Sequence, residues 1–364
     1  MIFDSIAAPP PTLPDALRFE SGALLRAPEQ WPARRLELAA RMLPLAYGVL
    51  PPAPRAVSCE ILHAAPMRCL QGARLLSCRV GVDGGAAFML RVWVPADSGA
   101  LPVVLNGDGC WHYADDSVLQ EALRRGYVFA QFNRVEVSAD KTGQRSPEHG
   151  PRLLDGQSCG AIAAWAWAYH RAIDALATLD CVNSQAIAVV GHSRGGKAAL
   201  LAGATDPRIA LTSANNSGAA GAGCFRLQQA GSETLADITQ NFPHWFGGGL
   251  AAFAGREHDL PFDQHFLKAL VAPRALLTTE ALGDHWSNPE GSWHTHCAAR
   301  RVYEFLGARQ ALAISFRQGG HDHGLADWMV FLDYCDTVFA GRQRSALLDV
   351  SPFGDVNRDP DSAR

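Results

Sequence analysis

Residues 186–204 read AIAVVGHSRGGKAALLAGA: an apolar run, a serine crowded by glycines, then a helical pattern. Gly191-His192-Ser193-Arg194-Gly195 fits G-x-S-x-G, and a strand before with a helix after is the setting in which that motif carries a nucleophile. The flanking glycines permit a sharp turn, so the Ser193 hydroxyl is expected to project above the edge of a sheet. Serine is a poor nucleophile without a base, so a histidine and an orienting acid should follow in the order serine, acid, histidine. Among 13 histidines, His321 stands directly after a strand-like run and Gly319-Gly320, just before the last helical pattern. That is the place of a base in such a fold; His323, on the same short loop, is the alternative. For the acid, ALLTTEALGDHWSNPEG offers Asp284 just past a strand, with Glu280 at the strand's end in reserve. A developing oxyanion needs donors. One is the backbone N–H of Arg194 at a helix N-terminus, and the other is expected from LNGDGCW (105–111), at Gly107 or Asp108.

Arg194 and Lys197 make this motif unusual. Lys197 is four residues after Ser193, so it lies on the same helical face as the turn. Two cations at a pocket mouth suit a polyoxygenated substrate or one that yields an anionic product. Periodicity alone equally allows Lys197 to be a solvated helix lysine.

Further segments extend the pattern: GAIAAWAWAYHRAID (160–174), NNSGAAG (215–221), SETLADITQNFPHWF (232–246), DQHFLKALVAPRALL (263–277), GDHWSNPEG (283–291) and GGHDH followed by DW (319–328). With S-R-x-G-K and N-F-P-H-W-F combined, the chain over roughly residues 100–335 resembles the glucuronoyl esterases, of the 4-O-methylglucuronoyl methylesterase type. The resemblance implies cleavage of the ester between a glucuronic acid carboxyl and an alcohol, as in lignin–carbohydrate linkages. It assigns Ser193 as nucleophile, His321 as base and the Arg194 side chain as an added oxyanion donor. Lys197 would bind sugar hydroxyls, Trp286 would lie against the sugar ring, and Glu233 would be a further sugar contact. One departure matters. Fungal members carry a glutamate after the strand that follows the nucleophile helix, where this chain has Asn216. The acid must then come from Asp284, and Asn216 is expected to hold a loop by hydrogen bonding.

The elements that must position these residues follow from periodicity. RLLSCRVGVDGGAAFMLRVWVP gives two β-rich runs around Asp83-Gly84-Gly85, a hairpin signal. Strands are expected at 101–107, 127–133, 186–191, 209–215, 274–280 and 311–318, with helices at 160–178, 196–204 and 325–340 between or after them. A hairpin followed by βαβ alternation predicts an α/β-hydrolase fold, with a mainly parallel central sheet, helices on both faces and an N-terminal β-hairpin. Residues 1–55, Pro-rich around one amphipathic piece, are expected to pack as an extension on a single catalytic domain over 56–345, with a polar tail at 346–364. The irregular stretches 134–159 and 219–265 are expected to shape the pocket.

Composition excludes several classes. Of 364 residues 48% are apolar and 19% charged, as in ordinary globular enzymes. A net charge of −4 argues against a nucleic-acid binder. No run of about 18 apolar residues predicts a membrane span. The start lacks the basic and apolar regions of a leader, so the expected location is cytoplasmic; the family resemblance points instead to a secreted or periplasmic enzyme if a leader was trimmed. Nine cysteines without a C-x-x-C pair read as scattered thiols. HTHC (294–297) and HDH (321–323) lack a partner at metal-site spacing, so neither metal nor cofactor is expected. WAWAY (165–169) reads as core packing, and Trp245 as core or pocket wall. The expected partner is a small or polymeric uronate ester, met by a monomer. The competing functions are a carbohydrate acetyl esterase or general carboxylesterase on the same fold, a prolyl-oligopeptidase-like peptidase, for which there is no room for a propeller, and a non-catalytic scaffold.

Overall fold

A computed structural model describes residues 13–83, 86–96, 99–111, 114–141 and 159–353. Among the described residues nine strands form one sheet: β1 (Val57–Met67), β2 (Ala73–Val82), β3 (Ala86–Val94), β4 (Leu101–Asn106), β5 (Val128–Phe132), β6 (Val182–His192), β7 (Ile209–Asn215), β8 (Ala275–Ala281) and β9 (Leu312–Arg317). Their spatial order is β1-β2-β3-β5-β4-β6-β7-β8-β9. Pairing is antiparallel from β1 to β5 through β2 and β3, and parallel from β5 to β9. The mainly parallel sheet is the one expected. The predicted hairpin is the β2–β3 pair, in register from Arg74↔Val94 to Val82↔Ala86; its glycines, Gly84 and Gly85, lie outside the described residues. β1 was not expected, and it makes the hairpin a three-stranded meander.

The central strands are buried on both faces, which is why they read as continuous apolar runs. In β6, Ile187 and Val189 face one core while Ala188 and Val190 face the other. The larger core takes the apolar faces of α1 (Trp31–Ala46), α3 (Ala161–Leu176), α4 (Arg194–Thr205), α6 (Gln264–Val271) and part of α7 (Pro289–Phe305). The smaller takes α2 (Asp116–Arg124) and α8 (Leu325–Ala340). The remaining helix, α5 (Leu235–Asn241), sends Leu235 and Ile238 into the larger core. Buried Trp165, Trp167 and Tyr169 sit within α3 and are core residues, as their spacing predicted.

The N-terminal region is tied to the body by more than apolar contact. Arg35 of α1 donates from Nε to Leu270 O at the end of α6, 3.0 Å, and from Nη2 to Ala204 O at the end of α4, 2.6 Å. One guanidinium thus satisfies carbonyls at two helix C-termini, where partial negative charge accumulates. At the other end of the chain, Asp349 exchanges hydrogen bonds with Ile314 of β9 and pairs with Arg309 and Arg344.

Candidate active site

β6 ends at His192 and α4 begins at Arg194, leaving Ser193 to make the whole turn at φ +54°, ψ −124°. That conformation strains any L-residue. It is held because the Ser193 N–H donates to Asn215 O, 2.9 Å, and because the glycines allow close approach. A Cβ on Gly191 would collide with the Gly195 backbone, and one on Gly195 with the Asp108 carboxylate. Sterics therefore demand G-x-S-x-G here.

The expected histidine and acid converge on this serine. Ser193 Oγ lies 2.9 Å from His321 Nε2, and His321 Nδ1 lies 2.5 Å from Asp284 Oδ2. Asp284 is buried in the loop after β8, His321 exposed in the loop after β9. Burial alone would raise the Asp284 carboxyl, but hydrogen bonds from His321 and Ser287 outweigh it and hold it below its ordinary value. It therefore stays ionised and can fix the imidazole with Nδ1 protonated. Ser287 Oγ, 2.5 Å from Asp284 Oδ2, is a contact the sequence did not reveal. Glu280, the reserve acid, is fully buried and faces Lys268 and Ser292. Burial pushes Glu280 up and Lys268 down, each opposed by the other's charge. His323 stacks between Trp328 (centroids 4.5 Å) and His192 (5.7 Å). Trp111 stacks on the far face of His192 at 4.6 Å, completing a column of four rings beside His321. Burial drives His192 down to about 4, so that imidazole is neutral.

The two cations are placed differently from one another. Arg194 is partly exposed and donates from Nη1 to Asp140 Oδ2, 2.8 Å. Lys197 is buried, which corrects both the pocket-mouth and the solvated-lysine expectations. Its Nζ donates to Ser217 O, 2.6 Å, and lies 3.9 Å from Glu233 Oε2. Burial lowers Lys197 and raises Glu233, and each is opposed by the other's charge. Trp286 is half-exposed, and its backbone carbonyl accepts the Glu233 N–H, 3.0 Å. Lys197, Glu233 and Trp286 thus form one unit beside the serine.

Comparison with known proteins gives the family of the chain. The family described as glucuronyl esterase, fungi, matches residues 82–307, well over half of the chain. The chain belongs to the glucuronyl esterase family. It is 33% identical to a carbohydrate esterase from an unknown prokaryotic organism, over 61% of this chain and 56% of that one. It is 32% identical to 4-O-methyl-glucuronoyl methylesterase 1 of Wolfiporia cocos, over 81% of this chain and 72% of that one. A carbohydrate esterase family 15 glucuronoyl esterase from Caldicellulosiruptor kristjansonii superposes with a TM-score of 0.81 at 29% identity, covering 99% of this chain and 98% of that one. The chain therefore spans little more than half the length of the prokaryotic esterase.

In this family member neither Gly107 nor Asp108 has its backbone N–H free to be the expected second oxyanion donor. The Gly107 N–H donates to Tyr169 Oη, 2.8 Å, and the Asp108 N–H to Asn106 Oδ1, 2.9 Å. The Asp108 carboxylate instead pairs with Arg134 and accepts the His192 N–H at 2.8 Å, bracing the turn from below. Asn216 does hold loops. Its Oδ1 accepts the Ala281 N–H, 2.7 Å, and its Nδ2 donates to Asp322 O, 3.1 Å, next to His321. A cleft of about 780 Å³ opens over Ser193, His321 and Arg194, walled by Trp111, Val135 and Asp140. Among the described residues no cysteine is joined in a disulfide.

Proposed function

We propose that this chain is a serine esterase that hydrolyses esters of glucuronic or 4-O-methyl-glucuronic acid. The single observation that carries this is the junction of two units at Ser193. One is the hydrogen-bonded series Ser193, His321, Asp284; the other is Lys197, Glu233 and Trp286, a cation, an acid and an exposed indole of the kind that grips a sugar. An acetyl ester gives no reason for the second unit. The name of the Wolfiporia cocos relative supports the same substrate.

In the reaction, His321 Nε2 takes the Ser193 proton as Oγ attacks the uronate carboxyl carbon. Negative charge grows on the former carbonyl oxygen. The Arg194 N–H, one of the donors left unpaired at the start of α4, and the Arg194 guanidinium stabilise it. The intermediate collapses by breaking the bond to the alcohol oxygen, which leaves with the proton from His321. Water, deprotonated by the same imidazole, then attacks the acyl-serine, freeing the uronic acid and restoring Ser193. Asp284 keeps the imidazole in the productive tautomer throughout. A substrate borne on wall polysaccharide places the working enzyme outside the cytoplasm.

The test is hydrolysis of benzyl glucuronate beside an acetylated xylooligosaccharide and p-nitrophenyl acetate. The expected result is preference for the glucuronate, with Ser193→Ala losing about 10³-fold or more in turnover on every substrate it shares with the wild type. Preference for the acetylated sugar would refute the substrate. A Ser193→Ala variant within tenfold of wild type would refute the mechanism.

A further inference from the structure

Asn241-Phe242-Pro243-His244-Trp245-Phe246 and Asp140 belong to separate irregular stretches, and neither holds a reacting group in the mechanism above. They meet around one side chain. Arg194 Nη1 donates to Asp140 Oδ2 at 2.8 Å. The other oxygen of Asp140 accepts the Trp245 indole N–H at 2.7 Å and lies 3.3 Å from His244 Nε2. The guanidinium carbon of Arg194 sits 5.0 Å from the Trp245 ring centroid and 5.5 Å from that of Phe242. Those two rings are stacked 4.0 Å apart and 6° from parallel, and Trp245 is anchored edge-on against Trp165 of α3.

We propose that Asp140 is a positioning residue for ester hydrolysis: with the Phe242–Trp245 shelf it forms a socket that aims the Arg194 guanidinium at the oxygen that becomes anionic. The proposal rests on the esterase reading above. An arginine left in solvent samples many rotamers, and a donor helps the transition state only if it is already aimed. An isolated surface ion pair would not fix it, because such pairs are weak and mobile. This one differs, because the carboxylate is itself held by an indole N–H whose ring is 3% exposed and packed into the core. Direction passes from core to indole, to carboxylate, to guanidinium. Asp140 touches no reacting atom.

The test is a double-mutant cycle of Asp140→Ala and Arg194→Ala, with kcat and KM measured on p-nitrophenyl acetate and on benzyl glucuronate. Removing an oxyanion donor costs about 10²–10³-fold, so Arg194→Ala sets the ceiling. Asp140→Ala should lower kcat about tenfold or more within that ceiling, and leave KM within about twofold. In the Arg194→Ala background it should cost less than about twofold, because nothing is left to aim. Asp140→Asn should fall between wild type and Asp140→Ala, since an amide cannot accept from both the guanidinium and the indole through separate oxygens. If Asp140→Ala does not fold, the near-isosteric Asp140→Asn carries the same cycle. Unchanged kcat, or an equal loss with and without Arg194, would overturn the proposal. Because p-nitrophenyl acetate has no sugar, the cycle is readable even if the uronate assignment fails. A wild type inactive on both substrates would overturn the esterase reading instead.

Discussion

Replacing Lys197 with methionine keeps the apolar stem and removes the ammonium from a site where both it and Glu233 are about 5% exposed. With Nζ 3.9 Å from Glu233 Oε2, the lost attraction is about 4 kcal/mol at an effective dielectric constant near 20. That agrees with the roughly 3–5 kcal/mol lost when one member of a buried pair is removed. An unfolding entropy of about 2.1 cal/mol/K per residue over this chain gives about 0.76 kcal/mol/K, so Tm should fall by about 4–7 °C. The loss should also depend on pH. Without Lys197, the largest opposition to burial is gone and the Glu233 carboxyl rises further above its unfolded value. The native variant then keeps a proton that the unfolded chain releases, so its stability falls as pH rises between those two values. Thermal unfolding should show a smaller deficit at pH 5 than at pH 8. Glu233→Gln added to Lys197→Met should recover part of the Tm, because no buried charge remains. A Tm unchanged in Lys197→Met, a deficit equal at both pH values, or a double variant no more stable than the single one would refute the reasoning.

Asp284→Asn should reduce turnover by about 10⁴-fold, since the imidazole then loses the anion that fixes its tautomer. Glu280→Gln, which faces Lys268 rather than His321, should cost less than tenfold in turnover on the same ester; the reverse ranking would move the acid. Burial drives His170, His192 and His265 down to about 4 and holds His296 well below its ordinary value. Below the ordinary histidine value near 6.5, the unfolded chain binds protons that the native chain refuses, so stability should fall from pH 6.5 toward 4. Each imidazole adds a slope approaching about 1.4 kcal/mol per pH unit. Denaturant unfolding at pH 7 and pH 5 measures it, and a stability that is level or greater at pH 5 would count against these assignments.

What could be read in the sequence was what depends on neighbours along the chain. The turn at Ser193 is written in the adjacent glycines, and the loops of Asp284 and His321 follow from strand ends and chain order. Lys197 shows the limit. Its spacing from Ser193 fixes the face of α4 it occupies, but not that Glu233, Trp245 and Ser217 close over that face. Asp140 was invisible for the same reason, lying 54 residues from Arg194 in sequence on an irregular segment. The oxyanion expectation for Gly107 and Asp108 failed because a buried tyrosine hydroxyl and an asparagine take those N–H groups, and no local pattern announces such partners. β1 went unseen because its outward-facing side is largely exposed and lacks the apolar run that marked the inner strands.

Asn216 bears on how this site would take an engineered change. It stands just beyond β7, and its amide N–H reaches the carbonyl next to His321. Its amide oxygen holds the Ala281 N–H at the end of β8. One side chain thus locks the loop of the base to two strand ends, as a tenon locks a joint. A carboxylate at this position has no N–H to give the Asp322 carbonyl, so an acid introduced there would loosen the loop that carries the base.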